Sequence, residues 1–308
     1  MARPRSLMKD YAAYFIVRIG VALIQALTDG ATRLAAEGFG WAAYRLDSRH
    51  RMVADENLRH AFPNLTEDER SQLVRESFFH FVRLIFEVAR LPRKLHANNW
   101  RRHVELIGGD RLTAALTTDR PALLVTGHFG NWELAGYAMG LLGFRSHAVA
   151  RPLDNPFVDR FLRQLRERTG QRVLAKKGDF DRMEELLQRG GILGTLADQD
   201  AGARGPFVNF FGRPASTHKA IALMALEFNV PIVVAGVPKV GEPSRYQVEI
   251  EDVIEPNEFA ARPDAVLALT QRYTAALERL IRRHPGQYFW LHRRWKHQPA
   301  ARKRPAAA

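Results

Sequence analysis

The 308-residue chain contains no cysteine, which excludes disulfides, thiolate metal sites and a cysteine nucleophile, and leaves the compartment open. It has no Gly-x-Ser-x-Gly elbow, so nothing supports a serine hydrolase of that kind. No Gly-x-Gly-x-x-Gly follows a strand-like run, so a Rossmann dehydrogenase is unsupported too. The 11 histidines are scattered rather than clustered as metal ligands. There is no internal repeat. A clean apolar run is also missing: residues 11–27 are largely apolar but are broken by Arg18 and Gln25, seven positions apart and therefore on one helical face. Seventeen residues lie at the low end of the roughly 17–25 needed to cross a bilayer, and a central arginine adds about 2.5 kcal/mol or more. A helix lying in the membrane interface fits better, with Arg18 and Gln25 toward head groups or protein. The arginine and the lack of a small-residue cleavage site argue against a removable signal peptide.

Acidic residues are in deficit, 33 against 46 Lys and Arg, for a formal net charge of +13. Such a balance implies an anionic partner: nucleic acid, anionic lipid or an acidic protein. No recognised nucleic-acid module is present, and the arginines are spread through amphipathic helices. A basic membrane- or nucleic-acid-binding protein is thus the non-enzyme alternative. With 46% hydrophobic and 26% charged residues, the chain is long enough for one large α/β domain with helical additions.

In order, residues 1–28 read as a membrane-associated helix and 29–100 as a helical region packed on a core. Residues 101–297 read as an α/β core, and 298–308 as a basic disordered tail. Thr66 and Glu69 have capping-box spacing, and Pro92 is expected to end the helical region. Strand-like runs at 104–107, 122–125, 147–150, around 173, 192–197, 232–237 and 246–253 alternate with helical patterns at 131–142, 157–168, 180–188, 216–228 and 263–283. This alternation predicts an α/β fold, a mainly parallel mixed sheet flanked by helices. The stretch 198–215, rich in Gly and Phe, reads as a long loop and a candidate binding loop.

Residues 121–133 stand out. A short buried strand ends in a glycine-containing turn that carries His128 and Glu133 into a helix, the strand end where active-site groups collect in open α/β sheets. The spacing alone is weak, since a histidine followed five positions later by a carboxylate occurs by chance about once at this composition. His50 and Asp55 are such a pair, in a polar helical stretch assigned to solvent. Around His128, Gly127 and Gly130 free the backbone. Moving an acyl group from a thioester to a hydroxyl needs a base at the hydroxyl proton, which a neutral imidazole held by a carboxylate supplies. In this reading His128 is the base and Glu133 its orienter, the acceptor hydroxyl replacing an enzyme serine. The alternative is a helix-start acid beside a turn histidine.

The run Gly127-His128-Phe129-Gly130-Asn131-Trp132-Glu133 resembles the signature of the bacterial lipid A biosynthesis acyltransferases, the late lauroyl and myristoyl transferases within the glycerophosphate-type acyltransferase superfamily. Further blocks are similar: Ala150-Arg151-Pro152 with Asn155-Pro156; Asp198-Gln199-Asp200; Phe207 to Ala215; Trp290-Leu291-His292-Arg293-Arg294-Trp295-Lys296; and Asn57-Leu58-Arg59 with Ala61-Phe62-Pro63. The resemblance covers nearly the whole chain. It implies an acyl donor on acyl carrier protein or, in some relatives, coenzyme A, with no other cofactor. It also implies a lipid-linked sugar acceptor and a peripheral or singly anchored place at the cytoplasmic face of the inner membrane. Relatives that acylate lysophospholipids or other glycolipids keep the acceptor open. Arginines 160, 163, 166 and 168 suit an acidic donor. The resemblance puts Gly130, Asn131 and Gln199 in the substrate site and Arg151 near the thioester oxygen or an acceptor phosphate, the alternative being a surface or sheet-end arginine. Asp198, beside Gln199, anchors that arginine, lines the pocket or makes a plain loop turn. Phe207, Phe210 and Phe211, with Gly212, line an acyl channel or simply pack, and Thr217 and Lys219 meet a phosphate or merely cap a helix.

Overall fold

The computed structural model describes residues 6–117, 120–176, 178–242 and 244–299; Arg3, Arg5 and positions 300–308 of the tail lie outside them. The chain opens with four helices, α1 (Leu7–Ala26), α2 (Asp29–Leu46), α3 (Ser48–Ala61) and α4 (Glu67–Lys94). Their starts are set by short polar side chains that satisfy free N–H groups. Thr28 Oγ1 accepts from Ala31 N–H at 3.3 Å, Asp47 from His50 N–H at 3.1 Å, and Thr66 and Glu69 close a reciprocal capping box. Pro92 does not end α4, which continues to Lys94. So close to the C-terminal end the proline forfeits only one intrahelical bond, and buried Leu91 and Leu95 on either side hold the last turn in place.

Past a 3₁₀ turn the chain alternates: β1 (Val104–Ile107), α5 (Gly109–Leu116), β2 (Ala122–Thr126), α6 (Trp132–Leu141), β3 (Ser146–Ala150), α7 (Pro156–Arg166), β4 (Arg172–Ala175), α8 (Phe180–Gln188) and β5 (Ile192–Leu196). Then come β6 (Phe207–Phe210), β7 (Arg213–Ser216), α9 (Ala220–Glu227), β8 (Ile232–Gly236), β9 (Lys239–Gly241), β10 (Arg245–Ile254), α10 (Asn257–Ala260) and α11 (Ala265–Arg283). The main sheet runs β1-β10-β8-β2-β5-β3-β4, with β9 beside β10. All its pairings are parallel except β10 with β8 and with β9. The expected mainly parallel mixed sheet is therefore the observed one. Central β2 faces two ways: Leu123 and Val125 join the core built with α9 and α11, while Ala122 and Leu124 face α5 and α6.

Two segments differ from the sequence reading. Residues 198–215 are not one loop, because β6 and β7 form a hairpin within them. Its two-residue turn holds Phe211 (φ 53°) and Gly212 (φ 76°) in the left-handed region, as a tight hairpin of this hand requires. The helix expected from 216 consequently starts at Ala220. The helical layer packs on the sheet side through α4, and α1 lies between α4 and α7. Gln25 Nε2 donates to Ala89 O at 2.8 Å, Tyr11 meets Phe157 edge-on at 5.5 Å, and the Arg18 guanidinium sits 5.0 Å from the Phe161 ring. The polar breaks in α1 thus face protein, and Leu7, Met8, Phe15, Ile16, Ile19 and Leu23 are exposed. Among the described residues no helix is long and apolar enough to cross a membrane.

Candidate active site

The turn after β2 is fixed from three sides. His128 O accepts from Phe289 N–H at 2.9 Å, Gly130 N–H donates to Gln287 O at 3.0 Å, and Asn131 N–H donates to Val237 O at 2.7 Å, just past β8. His80, on α4, is bonded through Nε2 to Gly130 O at 3.1 Å. Fully buried Asn131 caps α6 by accepting from Leu134 N–H at 2.9 Å, while its amide donates to Glu87 at 3.2 Å. Gly130 has φ +57°, and a Cβ there would sit 2.2 Å from Val237 O. Gly130→Ala is therefore expected to destabilise the fold by more than the ~1–2 kcal/mol that a left-handed conformation costs an ordinary residue, read as a fall in the urea midpoint.

The carboxylate that holds His128 is Asp198, not Glu133. Asp198 Oδ2 accepts the His128 backbone N–H at 2.8 Å and Oδ1 lies 2.9 Å from Nδ1. Gly127 permits the approach, since a Cβ on it would stand 3.1 Å from Asp198 Oδ2. Burial by itself would raise the Asp198 carboxyl, but the His128 charge and these two bonds, with the Arg294 charge behind, hold it at about 2. Burial pulls His128 toward its neutral form, yet Asp198 outweighs this and, helped by Glu133, raises His128 above 6.5. With Nδ1 tied to Asp198, Nε2 is the nitrogen left for a substrate proton. The ring lies between Trp132, 5.1 Å away, and Phe289, 6.1 Å away.

Glu133 instead takes both arms of Arg166 from α7, one of them at 2.8 Å and the other closer. In the sequence Arg166 is one of the arginines that suit an acidic donor; its i, i+3 relation to Arg163, which reaches Val173 O at 2.8 Å, marks the face of α7 that turns to the protein. The Glu133–Arg166 pair helps line a cavity of about 140 Å³ between α6 and the sheet, whose other lining is mainly apolar groups such as Leu124, Met139, Leu142 and Val149. Gly194 opens onto it: a Cβ there would meet only His147 O, at 3.6 Å.

Other expected site residues lie elsewhere. The exposed Arg151 side chain is 3.5 Å from Asp154 and has no contact with Asp198, because the chain turns outward once β3 ends. Gln199 is exposed. Phe210 and Phe211 are core rather than channel, packed on Trp295 at 5.7 Å and Trp290 at 5.5 Å, and Gly212 serves their hairpin turn; Phe207 lies on that hairpin, away from the 140 Å³ cavity. Thr217 N–H is already used by Pro206 O at 2.9 Å and Thr217 Oγ1 by Arg294 at 2.6 Å, so neither is free for a phosphate. Lys219 is exposed at the start of the short α9. The C-terminal segment, given no role by the sequence, contributes Phe289, His292 and the buried Arg294. Among the described residues no cluster of histidine and carboxylate side chains is arranged to hold a metal ion.

The arrangement of strand, glycine turn and buried imidazole–carboxylate pair can be compared with known proteins. A family model described as "Bacterial lipid A biosynthesis acyltransferase" matches residues 2–297. The chain is 27% identical over 267 residues to the lipid A biosynthesis lauroyltransferase of Escherichia coli, covering 85% of this chain and 84% of that protein. It is 26% identical over 259 residues to the palmitoleoyltransferase of the same organism, covering 82% and 80%. It is 28% identical over 215 residues to a phosphatidylinositol mannoside acyltransferase of Mycobacterium tuberculosis, covering 68% and 66%. The match over almost the whole length, together with an α/β core built around His128, shows that this chain is an O-acyltransferase and belongs to the bacterial lipid A biosynthesis acyltransferase family.

Proposed function

We infer that the protein moves a fatty acyl chain from an acyl thioester to a hydroxyl of a lipid A precursor or related glycolipid. The observation that carries the mechanism is the Asp198 carboxylate, which grips both the backbone and Nδ1 of His128 and leaves Nε2 as the base. The acceptor oxygen attacks the thioester carbonyl carbon as its proton passes to Nε2, and the carbonyl pair moves onto oxygen. Collapse re-forms the carbonyl, breaks the C–S bond and returns the proton from His128 to the leaving thiolate. Asp198 stabilises the imidazolium throughout, and the Glu133–Arg166 pair adds its field nearby without touching the ring. No covalent enzyme intermediate and no cofactor beyond the thioester is needed.

The cavity beside Glu133 suits a hydrocarbon chain, because it is apolar and ends against α6. Gly194→Leu would fill it from the sheet side, so the variant is expected to favour shorter acyl chains than the wild type in a competition among donors of mixed length, read by mass. An unchanged chain profile would place the acyl chain elsewhere. Exposed Arg160 on α7 and Arg168 just beyond it fit an acidic donor such as acyl carrier protein, or the phosphates of coenzyme A. The exposed apolar face of α1 fits a helix lying in the interface at the cytoplasmic face of the inner membrane rather than one that spans it.

The test is direct. Purified protein is incubated with acyl carrier proteins loaded with different chains and a lipid extract of the source cell, and the lipid that gains mass is identified. Gain on a lipid A precursor supports the reading. Gain on a mannoside of phosphatidylinositol, the second reading favoured by the mycobacterial relative, would change the acceptor and keep the chemistry. No gain on any lipid would sink both.

A further inference from the structure

Charge that develops on the thioester oxygen needs a donor, and the terminal nitrogens of the arginines near the site are engaged or turned away. Arg166 is held by Glu133, Arg151 points outward, and Arg294 gives both terminal nitrogens to Ser216 O and Thr217 Oγ1, leaving only its buried Nε without a partner among the described residues. His292 is in a different position. Phe289, whose N–H bonds His128 O, accepts from His292 N–H at 3.4 Å, so the chain folds back in one turn from the residue bonded to the base. On its other side the imidazole meets the segment after Asp198: Asp200 N–H donates to His292 Nε2 at 3.3 Å. Both flanks are pinned in turn. Asn57 donates to Trp290 O at 2.7 Å and to His292 O at 2.8 Å, and Asp200 accepts from Gly202 N–H at 3.1 Å and pairs with His297 at 2.7 Å.

A backbone N–H can only donate, so Nε2 of His292 must carry a lone pair. The ring is then neutral and its proton sits on Nδ1. Among the described residues Nδ1 has no acceptor. Burial, with the His128 and Arg294 charges, outweighs Asp198 and Asp200 and keeps His292 below the ordinary histidine range, in keeping with a neutral ring.

We propose that His292 is a catalytic residue of this site, a neutral donor whose Nδ1–H meets the thioester carbonyl oxygen as negative charge develops there. A neutral donor suits the chemistry. His128 becomes a cation in the same step, and a second cation beside it would oppose the proton transfer that the reaction requires. Asp200 is a positioning residue, since its N–H fixes the tautomer. The proposal rests on the acyl-transfer reading above and names the group that completes it.

Two near-isosteric variants separate donation from anchoring. His292→Asn places an amide N–H near the Nδ1 position and gives up the acceptor for Asp200. His292→Gln reaches the Nε2 position, can accept from Asp200 N–H, and gives up the donor. With an acyl-loaded carrier protein and a lipid acceptor, the Gln variant is expected to lose roughly 10²–10³-fold in kcat, the usual effect of one oxyanion donor, with KM for the donor little changed. The Asn variant is expected to keep more activity than Gln. Equal activities, or Gln above Asn, would overturn the proposal in favour of an anchoring role. If neither variant folds, the ring-nitrogen ¹⁵N shifts of the wild type decide: the Nδ1–H tautomer at neutral pH supports it, and an Nε2–H or doubly protonated ring overturns it. A wild type without acyl transfer would instead remove the functional reading on which this rests, and is measured first.

Discussion

Replacing His128 with alanine is expected to lower acyl transfer by roughly 10²–10⁴-fold, the range that general-base catalysis contributes, with donor binding and membrane association preserved. No other described side chain stands where Nε2 stands, with its second nitrogen gripped by a buried carboxylate and its ring set between Trp132 and Phe289. Steady-state rates on acyl carrier protein donors, with flotation on anionic vesicles and an unfolding midpoint measured alongside, separate loss of chemistry from loss of fold. A variant that still transfers acyl chains at near wild-type rate would rule out His128 as the base.

Asp198→Asn is expected to be comparably damaging, about 10²–10⁴-fold, and for a more specific reason. An asparagine can still accept the His128 backbone N–H through its oxygen, but its amide then offers an N–H to Nδ1. That would make Nδ1 the acceptor and put the ring proton on Nε2, the nitrogen that has to receive a proton from the substrate. The pH dependence carries the same signature. In the wild type Asp198 raises His128 above 6.5, and only the neutral ring is a base, so activity climbs with pH through a value above the ordinary histidine range. Without the anion, burial dominates and the residual activity of the variant climbs at lower pH. Glu133→Gln, which touches Arg166 rather than the ring, leaves the tautomer intact and is expected to shift the profile less. A larger shift for Glu133→Gln than for Asp198→Asn would return the orienting role to Glu133.

Much of the architecture is legible in the sequence, because strand and helix patterns and their caps are local. Short apolar runs bounded by glycine and proline locate β2 and its neighbours, and Thr66 with Glu69 marks the start of α4. The reading fails where local signals yield to packing. Phe211 in a left-handed turn carries no hairpin signal of the usual kind, and it is tolerated because Phe62, Phe210 and Trp290 enclose its ring. Pro92 reads as a stop because sequence cannot show that the helix needs only one more turn.

The sequence by itself determined the family, the strand–turn–helix and the placement of His128 at the end of β2. Only the tertiary structure decided which carboxylate holds His128. Glu133 is five positions away along the chain, but it lies in the first turn of α6 and meets Arg166, whereas Asp198 is seventy positions away and β5, paired in register beside β2, delivers it to Nδ1. Distance along the chain sets the spacing of a motif. The register of neighbouring parallel strands sets which groups at their ends are close enough to share a proton.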